Sequence, residues 1–252
     1  MTTGGDMISF LVCEPYRLIY RPLPKCASTT LFTLFADLGG NRISSQQRDN
    51  LPVVHGVVSP GRGGSYVVKC RDAAVGDLMR RYEGYTWFSV VRDPYSRVVS
   101  NYFNKLNRYA RRFEPHVYLR GYLDQLLAGP AAGKGFEARL RRMQSRIPFE
   151  RFVQGLRRHG VGWDIHVDLQ TRYLRVDEIR YHHLVKMEHL ADGLRAVLVL
   201  AGGRDSSDEV LERLGWLNRS SAAEVGDAWT PATRAIVADT YRRDFDLLGY
   251  AA

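Results

Sequence analysis

The sequence predicts an α/β fold of three layers, with a mainly parallel central sheet flanked by helices. Two observations carry this. Short β-branched or aromatic runs alternate with amphipathic stretches along the chain, and strands alternating with helices build parallel sheets. Two of the runs, Leu18–Arg21 and Thr86–Val91, lead through a turn into a helix start that carries a cation and hydroxyls. In such folds ligands sit at the carboxyl ends of the strands.

Residues 1–16 read as irregular, and Leu18–Arg21 as the first strand. Ser28–Leu38 reads as a helix, since Leu31, Leu34, Phe35 and Leu38 share a face and Gly39-Gly40 stops it. Residues 41–65 are polar and glycine-rich, a loop interrupted by the apolar patch Val53-Val54-His55-Gly56-Val57-Val58. Tyr66–Cys70 is a strand, and Asp72–Tyr82 a helix with Asp72 as its N-cap. Thr86–Val91 and Pro94–Leu106 are the next strand and helix, with proline near the first helical position, where its missing N–H costs nothing. Residues 107–147 form an Arg-rich insertion with one or two helices, broken at 129–135. Pro148–His159 is an amphipathic helix, Ile179–Met187 a strand and Leu190–Ala201 a helix. A polar loop over 202–228 precedes a closing helix at Pro231–Leu248.

With 252 residues, 45% of them hydrophobic, the chain suits one domain over 1–252. No run approaches the ~20 apolar residues of a membrane span. The N-terminus lacks the basic start and apolar core of a secretory signal. A cytoplasmic, bacterial-type protein is expected, luminal only if an N-terminal anchor was removed. The three cysteines, Cys13, Cys26 and Cys70, form neither a disulfide framework nor a CxxC metal pair. All but five of the 36 basic side chains are arginines, and the net charge is +9. A basic surface suits polyanions or nucleotides, but no zinc finger, RNA-binding aromatic motif or helix-turn-helix accompanies it. Nucleic acid is therefore not expected as the partner.

Pro24-Lys-Cys-Ala-Ser-Thr-Thr30 is the first chemical segment. A turn feeding a helix leaves N–H groups unpaired, Lys25 adds a point charge, and Ser28, Thr29 and Thr30 add donors. No glycine is present, so the segment is not GxxxxGK[ST]. The second segment offers Arg92 at a strand end, then Arg97, Ser100 and Lys105 along the helix. A guanidinium fork plus a hydroxyl suits a phosphate monoester. Each segment also has a plain structural reading. The first is then a capped surface turn, and the second Asp93 as an N-cap paired with Arg97.

Both segments resemble motifs of the sulfotransferases that use 3′-phosphoadenosine 5′-phosphosulfate (PAPS). The first is similar to their 5′-phosphosulfate loop, and Arg92-Asp-Pro-Tyr-Ser-Arg-Val-Val-Ser-Asn-Tyr-Phe-Asn-Lys105 to their 3′-phosphate motif. The resemblance is to the carbohydrate branch of chondroitin, dermatan and HNK-1 enzymes, and more distantly to heparan sulfate 2-O-sulfotransferase. Phe149-Glu-Arg-Phe-Val, Asp164-Ile-His-Val-Asp-Leu-Gln170, Tyr181–Leu190 and Tyr241–Tyr250 agree with that branch in order. It implies a P-loop-NTPase-like sulfotransferase fold that needs no metal. It further implies that Lys25, Cys26, Ala27, Ser28, Thr29 and Thr30 hold the 5′-phosphosulfate, and that Arg92 and Ser100 hold the 3′-phosphate. The acceptor would be a hydroxyl of a glycan or small molecule, an anionic one included.

Sulfuryl transfer needs neutralisation of the leaving oxygen, the place of Lys25, and a general base. His55 lies where the 2-O-sulfotransferase resemblance puts its base, and His166 in the stretch Asp164–Gln170. Both stay open, with a carboxylate such as Glu188 behind them. His182 and His183 read as one buried and one exposed strand residue rather than a metal pair. The arginines of 107–147 read as an acceptor groove or a solvated helix face. Two other functions fit parts of the pattern. One is an ATP-dependent small-molecule kinase with a degenerate phosphate loop, and the other a non-catalytic polyanion-binding domain.

Overall fold

A computed structural model describes residues 7–40, 64–116, 119, 123, 147–202, 211 and 229–252. The chain divides into two compact units, Met1–Asp93 with Gln170–Arg219, and Pro94–Leu169 with Ser220–Ala252.

The first unit is an open five-stranded sheet in the order β3-β1-β2-β4-β5. Its strands are β1 (Met7–Cys13), β2 (Leu18–Arg21), β3 (Ser65–Arg71), β4 (Thr86–Val91) and β5 (His183–Lys186). β2 pairs with β4, and β4 with β5, in parallel. β1 runs antiparallel to both β2 and β3. The α/β class holds and the sheet is mainly parallel in strand direction: β2, β3, β4 and β5 run one way, and β1 alone of the five is reversed. Only residues 14–17 join β1 to β2, and a connection that short closes a hairpin rather than a parallel crossover.

β1 corrects the expectation that residues 1–16 are irregular. It is an inner strand covered on both faces, so Phe10, Leu11, Val12 and Cys13 are all fully buried. Ile8, Phe10, Val12, Ile19 and Trp87 line one face and meet Val75 and Leu78 of α2 (Val75–Arg81). On the other face Phe35 of α1 (Ser28–Leu38) packs against Tyr20 and Phe88, with ring centroids 5.9 and 6.1 Å away. These are the expected three layers. α6 (Leu190–Leu200) lies against β5, and a Cβ at Gly193 would overlap the Val185 side chain. Asp72 does not cap a helix at 72. It opens a 3₁₀ turn ahead of α2, and its carboxylate pairs with Arg175. β5 is shorter than the expected strand, because the chain enters a 3₁₀ turn at Met187.

The second unit is helical: α3 (Pro94–Phe113), α4 (Phe149–His159), α7 (Pro231–Thr240) and α8 (Arg242–Leu248). α3 runs seven residues beyond its expected end at Leu106. Its first turns bury Val98 and Val99, and the fully buried Tyr109 extends the same core. The start of the supposed insertion is therefore helix. The expected closing helix is two helices that meet at Tyr241. Thr230 and Thr233 cap α7 reciprocally, with Pro231 at its start.

Candidate active site

The carboxyl ends of β2 and β4 are adjacent, since Arg21 pairs in register with Ser89 and the Ser89 hydroxyl donates to the Arg21 carbonyl at 2.8 Å. Both segments singled out in the sequence start from this edge. After β2 the chain turns through Pro24–Ala27 into α1. Lys25 and Ala27 have φ of 69° and 54°, the left-handed region that side chains avoid, while Cys26 between them does not. Each such residue costs about 1–2 kcal/mol, and strain of this kind is retained where the surroundings demand it. Alternating handedness gathers successive N–H groups into a concavity suited to an anion.

α1 opens just beyond. Its first ladder bond runs from Leu31 N–H to the Ala27 carbonyl at 3.0 Å, and no side chain caps Ala27. The preceding N–H groups, of Ser28, Thr29 and Thr30, thus lie outside the helical ladder, where the helix dipole favours an anion. Lys25, Ala27, Ser28 and Thr29 are half-buried, whereas Cys26 and Thr30 are buried.

After β4, Arg92 is 8% exposed and its Nη1 donates to the Lys25 carbonyl at 3.4 Å. The structure therefore brings the first loop and Arg92 together. The Arg92 backbone is held from afar. Its N–H donates to Gln170 Oε1 at 2.9 Å, and its carbonyl accepts from Gln170 Nε2 at 2.7 Å. Asp93 N–H donates to Glu188 Oε1 at 2.9 Å. Gln170 opens the short helix α5 (Gln170–Leu174). Arg21 ties α5 to the sheet: it donates to the Tyr173 carbonyl at 3.3 Å and stacks over the Tyr173 ring, while burial pulls its own pKa down.

Ser100 and His166 belong to the second unit. Ser100 is buried on α3 beside Asn101, whose amide donates to the His166 carbonyl. Arg97 is 1% exposed and donates to the carbonyls of Asp168 and Ile165, at 2.7 and 3.3 Å. Tyr241 Oη, its pKa raised by burial, donates to the Val167 carbonyl at 2.8 Å. The loop 164–169 is thus gripped by side chains, and His166 Nδ1 lies 2.7 Å from the carboxylate of the buried Asp164.

His55 lies outside the described residues, as do Arg120, Arg139, Arg141, Arg142 and Arg146 of the Arg-rich stretch. Arg111 and Arg112 are exposed on α3, and Arg112 sits over the Trp163 ring. His182 Nδ1 accepts from Trp87 N–H at 3.0 Å. Of the pair, His182 is exposed and His183 half-buried, so neither is the buried partner expected. Among the described residues no helix is long and apolar enough to cross a membrane, and no three His, Cys, Asp or Glu residues cluster as a metal site.

Gln170 and Asp164 had no role in the sequence reading, although both lie in the stretch quoted for its family likeness. Their partners, at Arg92 and in the ring of His166, are visible only once the chain is folded.

Two strand-to-helix connections at neighbouring ends of parallel strands place the protein in the α/β class. The profile of the Sulfotransferase family matches residues 9–251, and the chain belongs to that family. Among curated proteins and among solved structures, none matches the chain. The protein is thus a transferase of sulfuryl groups, with the P-loop-like fold that its family implies.

Proposed function

We propose that this sulfotransferase takes its sulfuryl group from PAPS, releases 3′-phosphoadenosine 5′-phosphate, and sulfates a hydroxyl of a carbohydrate or other small molecule. The observation that carries the reading is the pairing of the strained loop Lys25–Ala27 with Arg92 at the next strand end. A donor with phosphate groups at both 5′ and 3′ positions needs two such grips.

In this reading Lys25, Cys26, Ala27 and the N–H and hydroxyl groups of Ser28, Thr29 and Thr30 hold the 5′-phosphosulfate. Arg92, with Ser100, takes the 3′-phosphate. The acceptor oxygen attacks sulfur in line, and the bond from sulfur to the bridging phosphate oxygen breaks. Lys25 neutralises the charge that collects on that oxygen. The acceptor proton passes to a base. His166 is supported by its carboxylate partner, because a ring anchored through Nδ1 on Asp164 turns Nε2 into the accepting nitrogen. His55 remains the second candidate.

The test is transfer of label from radioactive PAPS to a mixture of sugar and small-molecule hydroxyl acceptors in the presence of a chelator, beside labelled ATP with Mg²⁺. Transfer from PAPS that survives chelation supports the reading. Transfer only from ATP and only with Mg²⁺ replaces it with a kinase.

A further inference from the structure

We infer that Gln170 is a positioning residue of this site, and that its carboxamide sets the direction of Arg92. The inference rests on the proposed assignment of Arg92 to the 3′-phosphate. β2 pairs with β4 only as far as Ser89, and β5 only as far as Val91. The Arg92 peptide therefore lies beyond both ladders. The Gln170 side chain stands in for the missing strand, since it offers one C=O and one N–H, as a peptide does. Arg92 N–H can only donate and its carbonyl can only accept, so the orientation of the amide is fixed by its partners (2.9 and 2.7 Å).

The same oxygen, Oε1, lies 3.6 Å from the Cys26 thiol. One fully buried amide thus contacts the middle residue of the strained loop and both backbone groups of Arg92. Rotation of the Arg92 peptide would swing its guanidinium away from the Lys25 carbonyl, which it reaches at 3.4 Å. Gln170 acts through Arg92, so its removal should be felt by ligands that carry a 3′-phosphate and not by ligands that lack one. At metal sites, loss of the partner that orients a ligating side chain costs roughly 10–100-fold in affinity, and a loss of that order is expected here.

The experiment is calorimetric titration of the full chain and its variants with 3′-phosphoadenosine 5′-phosphate and, separately, adenosine 5′-phosphate. Gln170→Leu should lose roughly tenfold or more for the bisphosphate while its affinity for the monophosphate is unchanged. Added to Arg92→Ala it should cost nothing further. Gln170→Glu covers the event that Gln170→Leu does not fold. An ionised carboxylate cannot donate to the Arg92 carbonyl, but the protonated acid can. Its bisphosphate affinity, relative to the unsubstituted protein at each pH, should therefore recover as the pH falls. Equal weakening for both ligands, or a Gln170→Glu variant whose relative affinity ignores pH, overturns the inference and leaves the proposed donor standing. Failure of the unsubstituted, folded protein to bind the bisphosphate overturns both.

Discussion

The chain leaves β2 and β4 side by side, yet it is shaped in two different ways. After β2 the turn is shaped by its own backbone, although Arg92 and Gln170 also reach it: two non-glycine residues in left-handed conformation, a bond from Cys26 N–H to the Leu23 carbonyl, and a helix that starts without a side-chain cap. After β4 the backbone of residues 92–93 is held by side chains from elsewhere, with Gln170 and Glu188 at sequence separations of 78 and 95. The first arrangement leaves N–H groups for a ligand. The second uses up backbone groups to aim one side chain. An anion that needs a cradle and an anion that needs a fork call for these two solutions.

The comparison is broken most severely at Lys25. Lys25→Ala should keep the fold, by circular dichroism and melting temperature, and lose about 10²–10³ in turnover. Near-normal turnover would remove Lys25 from the leaving oxygen. Glu188 comes next. Glu188→Ala strands the Asp93 N–H at a position water can reach, and should cost about 1 kcal/mol in denaturant unfolding. Glu188→Gln keeps the accepting oxygen and should recover most of that stability with turnover intact. A fall of about 10²–10⁴ in Glu188→Gln would instead make this carboxylate the general base. The smallest effect is expected at Ala27. Ala27→Gly relieves about 1 kcal/mol of backbone strain but frees the unfolded chain by about 0.4–1 kcal/mol. The net stability change should be near zero, with bisphosphate binding weakened because the loop is no longer preformed. A large stability change would mean that the strain resides elsewhere.

The same contrast decides what could be read from the sequence. The β2 turn is local, so Pro24–Thr30 carried its own signal: a cation, three hydroxyls and a helix start within seven residues. α1 was legible for the same reason, since its apolar face repeats at helical spacing and Gly39-Gly40 ends it. The brace behind Arg92 was not legible, because nothing near Arg92 points to Gln170. The resemblance marked the stretch that contains Gln170 without showing what its amide binds. β1 was missed because it sits inside the sheet and shows a continuous apolar run instead of alternation. That run also hid the one reversed strand among the five. The extent of α3 was obscured by Arg111 and Arg112 near its end, which are exposed while Tyr109 carries the core inward. In the second unit, the grip of Arg97, Asn101 and Tyr241 on the loop 164–169 consists of bonds to backbone carbonyls. Residue type does not announce such bonds.

The most direct measurement is titration of the purified protein with 3′-phosphoadenosine 5′-phosphate, beside adenosine 5′-phosphate and the Arg92→Ala variant. Tight binding of the bisphosphate, clear preference over the monophosphate, and loss of that preference in Arg92→Ala are the predicted result. No binding of the bisphosphate by well-folded protein, or a preference that survives Arg92→Ala, would contradict the account.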